Sequence, residues 1–91
     1  MRLRLEFTTE PFDLDRPPAH AEAARELVLS APLDSVDVGP FGTTVEGGAD
    51  EVVEVVGGLL RRALASGATR ISLQVNALPG AGGDDSGGGG A

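Results

Sequence analysis

The chain has 91 residues, a formal charge of −7, one histidine, no cysteine and no lysine. Disulfide and thiolate chemistry are therefore excluded, and a lone histidine rules out a multi-histidine metal site within one chain. Seven scattered arginines against fourteen carboxylates argue against nucleic acid, whose phosphates need clustered basic side chains.

Residues 2–9 alternate cleanly. Leu3, Leu5 and Phe7 fall on one side, Arg2, Arg4, Glu6 and Thr8 on the other, the pattern of a half-buried strand. With no long apolar run, this segment reads as neither a signal peptide nor a membrane span, so a cytoplasmic location is expected. Pro11 to Pro18 is a proline-bearing connection, and Pro17-Pro18 suits the first turn of a helix running to about Ser30. Ala23, Ala24, Leu27 and Val28 are its expected inner residues. His20, near the helix start, is expected at the surface.

Asp34 to Gly39 reads as a second strand with Val36 and Val38 inward. A tight turn through Pro40-Phe41 leads to a third strand, Gly42 to Glu46. A second helix begins near Asp50, with Asp50 and Glu51 at the positive end of its dipole and Arg61 and Arg62 near the negative end. Val52, Val55, Val56, Leu59, Leu60, Ala63 and Leu64 form its expected apolar stripe. Gly57-Gly58 within it implies close packing against a neighbour, at about 1 kcal/mol each relative to alanine. Gly67 ends the helix. Ala68 to Asn76 is the fourth strand, with Ile71, Leu73 and Val75 inward and Ser72, Gln74 and Asn76 outward. Residues 79–91 are mostly glycine with Asp84, Asp85 and Ser86, too polar and flexible to repay their ordering entropy. The expected folding unit is residues 1–78. A unit of that size buries only about 60–65% of its unfolded surface, so a shared oligomer core would help it.

The order β-α-β-β-α-β predicts an α+β, ferredoxin-like sandwich: a four-stranded antiparallel sheet with two helices on one face. Right-handed crossovers place the first and third strands in the middle and the second and fourth at the edges. The opposite face then carries Arg4, Glu6, Thr8, Asp37, Thr44, Glu46, Ser72, Gln74 and Asn76, polar but largely uncharged.

Chemistry concentrates in Gly39-Pro40-Phe41-Gly42-Thr43-Thr44-Val45-Glu46-Gly47. Alternation sets Thr44 and Glu46 on one side and Thr43 on the other. Glu46 is expected near Glu6 or Thr8 on the first strand. A carboxylate there could accept from an exocyclic amine, with hydroxyls or amides matching ring nitrogens. The same groups would also suit a solvated sheet face or an oligomer interface. No nucleophile or metal accompanies Glu6 and Glu46, which argues against acid–base catalysis. Gly39-x-x-Gly42 lacks the lysine and the following helix of a phosphate loop. Phe7 is expected in the core; Phe12 and Phe41 sit in loops, where either could lie against a ligand ring.

That nine-residue stretch resembles the G-P-[hydrophobic]-G-T-x-x-E-G signature of the small thiamine-binding protein family. The similarity continues through Asp50-Glu51-Val52 and the helix to Ser66-Gly67-Ala68-Thr69-Arg70. The resemblance implies a subunit that assembles into dimers or tetramers and binds thiamine or hydroxymethylpyrimidine without catalysis, with no cofactor, metal or membrane partner. Carried over by position, Thr43, Thr44 and Glu46 are the leading ligand contacts; Thr8 and Asn76 are added from geometry. Gly57, Gly58, Leu60 and Arg61 depart from residues that are often polar or charged in relatives. The alternative function is a structural or regulatory oligomeric module whose polar sheet face holds no metabolite.

Overall fold

The computed structural model describes residues 1–13, 15–40 and 42–79. The expected tail lies outside the described residues from residue 80 onward, as does Phe41. The elements are β1 (Arg2–Glu10), α1 (Ala19–Ser30), β2 (Ser35–Val38), β3 (Thr43–Gly48), α2 (Ala49–Ala65) and β4 (Arg70–Ala77). The strands form one antiparallel sheet in the order β2-β3-β1-β4, with both helices over one face. This is the ferredoxin-like α+β sandwich, with β1 and β3 central.

Register follows from side-chain alternation. Leu5 lies opposite Val45 on β3 and Val75 on β4, and Phe7 lies opposite Thr43 and Leu73. Leu5, Phe7 and Val45 point into the helix layer, where Ala24, Val28, Val52, Val55, Leu59 and Ala63 close the core. Each large apolar side chain buried there contributes about 1.5–3 kcal/mol relative to exposure. The other side of the sheet stays open.

Four expectations are corrected by the edges of this small sandwich. Leu73 and Val75 point to the helix side, but α2 packs over β1 and β3 and leaves the edge strand β4 partly bare. Val38 at the opposite edge is exposed for the same reason. On α2 the buried stripe is narrower than expected, and Leu60 and Leu64 are exposed beside it. His20, expected at the surface, is only 3% exposed.

The glycines of this region have distinct roles. Gly58 is the close-packing glycine, since an added Cβ would sit 3.3 Å from the Leu27 methyls of α1. Gly57 meets nothing within 4 Å, so close packing does not explain it. Gly67, with φ of +105°, takes the left-handed conformation that ends α2. Gly47, inside β3, lies under Leu33: a Cβ there would meet Leu33 Cδ2 at 3.1 Å and its Cα at 3.5 Å. Backbone on one side leaves little room to yield. We expect Gly47→Ala to destabilise the protein by about 1–3 kcal/mol in chemical denaturation, as overpacking does.

Candidate functional site

The motif straddles two concavities. The more enclosed is a cleft of about 370 Å³ on the helix side of the sheet. Its walls are the end of β1 (Phe7, Thr8, Thr9), the connection after Pro11, the start of α1, and the turn carrying Val38, Gly39, Pro40, Gly42 and Thr43. The turn is closed by the Gly39 amide donating to the Gly42 carbonyl at 2.8 Å. Asp13, Asp15 and Glu22 line the cleft against Arg16 and Arg25, so carboxylates outnumber guanidinium groups. Phe12, half-exposed at its rim, supplies an aromatic face. The Asp15 amide donates to Asp13 Oδ1 at 2.9 Å, giving the connection a local turn.

At the cleft floor lies a buried polar pair. Thr9 Oγ1 is 2.8 Å from His20 Nδ1, and His20 Nε2 donates to the Pro11 carbonyl at 2.9 Å. Thr9 is 8% exposed, so the pair is nearly dry. The sequence reading missed both residues, although a signal for them was present. His20, Ala24 and Val28 are spaced i, i+4, i+8 on the inner stripe of α1, and Thr9 continues the Leu5, Phe7 row of β1.

The second concavity, about 340 Å³, is a shallow hollow on the open face, with Glu6, Thr8, Thr44, Ser72 and Gln74 around it. Thr8, Gly42 and Thr43 line both concavities. Glu6 faces Thr44 on one side and Gln74 on the other, and it has no ion pair among the described residues. Gln74 Nε2 donates to Asn76 Oδ1 at 3.0 Å.

The five candidate contacts thus separate into two groups. Thr8 and Thr43 line both concavities, and Thr44 lines the hollow alone. Glu46 and Asn76 line neither of them. Glu46 lies directly opposite Arg4, with Asn76 on the far side of Arg4, and Glu6 follows two residues along β1 on the same face. Arg4 Nε donates to Glu46 Oε2 at 2.9 Å, and Arg2 reaches Glu46 Oε1 at 3.7 Å and Asp34 at 3.0 Å. This ion-pair strip joins β1, β3 and the lead into β2. Among the described residues, no group of three or more His, Asp or Glu is placed to hold a metal ion. Among the described residues, no helix is long and apolar enough to cross a membrane.

Residues 19–83 match the model of the thiamine-binding protein family. Solved structures with the same fold include a DUF77 domain of unknown function from Bacillus cereus, 22% identical, with TM-score 0.65 over 86% of this chain and 77% of that one. A proposed thiamine biosynthesis or salvage protein from Thermotoga maritima is 27% identical, with TM-score 0.62 over 84% of this chain and 81% of that one. A protein from Streptococcus pneumoniae, 19% identical, has TM-score 0.69 over 87% and 89%. No curated protein matches the chain. The chain belongs to the thiamine-binding protein family.

Arg4 and Glu46 are both partly exposed, so their pair contributes modestly. A double-mutant cycle with Arg4→Ala and Glu46→Ala is expected to give a coupling of about 0.2–1 kcal/mol in denaturant unfolding.

Proposed function

We propose that the protein binds thiamine, or the hydroxymethylpyrimidine part of it, without converting it, in the cleft between the start of α1, the end of β1 and the β2–β3 turn. The observation that carries this reading is that the family motif's own Gly39, Pro40, Gly42 and Thr43 form one wall of that cleft. Its volume lies within the range of small-molecule pockets, about 300–1,000 Å³. The thiazolium ring is a permanent cation, for which Asp13, Asp15 and Glu22 supply compensating charge. The Thr43 and Thr8 hydroxyls match the donor–acceptor edge of the aminopyrimidine, and Phe12 offers a ring face. Thr44 extends the contact across the adjoining hollow. In this arrangement Glu46 holds Arg2 and Arg4 rather than the ligand, and Asn76 stands beside that strip. A carrier, buffer or sensor acting in the cytoplasm fits such a site.

Calorimetric titration with thiamine is expected to show binding and a raised melting temperature, equivalent to about 2.7 kcal/mol at a hundred times the dissociation constant. Thr43→Val should weaken binding by about two- to tenfold, the worth of one hydrogen bond. No heat and no thermal shift at millimolar thiamine or hydroxymethylpyrimidine would sink the reading. A Glu46→Gln variant losing as much affinity as Thr43→Val would return the ligand to the open face.

Self-association is favoured by a separate observation and belongs to the same proposal. β4 pairs only with β1, so its outer backbone edge is free among the described strands. Its helix-side residues Leu73 and Val75 are exposed, as are Leu60 and Leu64 on α2. Edge pairing between two copies would satisfy the backbone and cover apolar surface in one step. Light scattering should give a dimer or tetramer of the 9.2 kDa chain, and Leu73→Glu should shift it toward the monomer. A wild-type protein that is monomeric at all accessible concentrations overturns this part.

A further inference from the structure

We propose that His20 is a positioning residue that sets the hydrogen-bond polarity of the cleft floor, so that the cleft accepts a cationic, donor-bearing ligand only while His20 is neutral. This inference rests on the ligand occupying the cleft described above.

The argument starts from what each partner can do. A proline carbonyl only accepts, so the Pro11 contact at 2.9 Å requires the proton of His20 on Nε2. In the neutral ring Nδ1 is then an acceptor, and the 2.8 Å contact is made by the Thr9 hydroxyl donating to it. With its proton committed to the ring, Thr9 Oγ1 has only lone pairs left for the cleft that it and His20 line. The floor is an acceptor, suited to an amine or a cation.

Protonation reverses this arrangement. Both ring nitrogens become donors, Nε2 keeping the Pro11 carbonyl and Nδ1 now donating to Thr9 Oγ1. The Thr9 proton must turn away from the ring, so the hydroxyl becomes a donor toward the cleft. A positive charge also appears under the ligand. Both changes disfavour a cation. The charged side chains sharing the cleft are Asp13, Asp15 and Arg16 from the connection and Glu22 and Arg25 from α1. The cleft-lining residues of β1 and of the β2–β3 turn are uncharged. By linkage, a bound cation and a proton on His20 oppose each other equally.

The test has two arms on the full chain. Nitrogen-15 NMR of the ligand-free protein near neutral pH should show the Nε2–H tautomer. A neutral ring protonated at Nδ1 overturns the inference whatever the cleft binds. In the second arm, thiamine is titrated calorimetrically into wild type and His20→Gln across about pH 5 to 8. Wild-type affinity should fall on acidification by about five- to a hundredfold, the usual span of coupled binding events. His20→Gln carries a donor and an acceptor but no titratable ring, and should lose most of that fall. An equal fall in both proteins overturns the inference while leaving thiamine binding intact. No binding at any pH in wild type overturns the binding reading and this inference with it. Should His20→Gln fail to fold, Thr9→Val takes its place. Its wild-type-like pH profile would show that the hydroxyl transmits nothing.

Discussion

The register of β1 between β3 and β4 is the constraint on which the rest of the molecule depends. Side chains alternate across a strand, so a slip of one residue would send Leu5 and Phe7 to the open face and bring Arg4 and Glu6 into the helix layer. Leu5, Phe7 and Val45 together favour the observed register by several kcal/mol, at about 1.5–3 kcal/mol each. The Arg4–Glu46 pair, exposed and worth at most about 1 kcal/mol, reports that register more than it enforces it. The same choice places Thr9 under α1 and Glu6 in the open, and so decides what each concavity contains.

Much of this architecture was legible in the sequence because it is written in period. Alternation over residues 2–9 and the apolar stripe of α2 have no other economical reading, and the element order then leaves one simple topology. Exposure at the edges was not legible. Leu73 and Val75 obey their alternation and still remain half-bare, because α2 packs over β1 and β3 and leaves β4 little covered. His20 was misplaced because residue type was given more weight than position: it lies on the inner stripe of α1 with Ala24 and Val28. The location of Glu46 required register as well as face. Alternation put it on the correct side of the sheet, but only pairing shows it directly opposite Arg4.

The motif acquires a divided meaning from this geometry. Its first half, through the Gly39–Gly42 turn and Thr43, shapes a concave wall. Its second half, Glu46 and Gly47, secures β3 to its neighbours, by ion pairs on one side and by the close fit under Leu33 on the other. One half of the signature thus shapes the cleft while the other ties the sheet together. The cleft also draws on the Pro11–Pro18 connection and the start of α1.

The sheet order has a consequence for how the chain comes to be folded. β1 precedes the other described strands in the chain, yet its two neighbours are β3 and β4, the latter beginning at Arg70. During synthesis the central strand must wait for nearly the whole domain before both its edges are paired, a topology of high sequence separation that slows folding. Throughout that interval Leu3, Leu5 and Phe7 form an unpaired apolar row open to other nascent chains. Arg2, Arg4 and Glu6, interleaved with them, put a charge at every second residue and so oppose misassembly until β4 arrives.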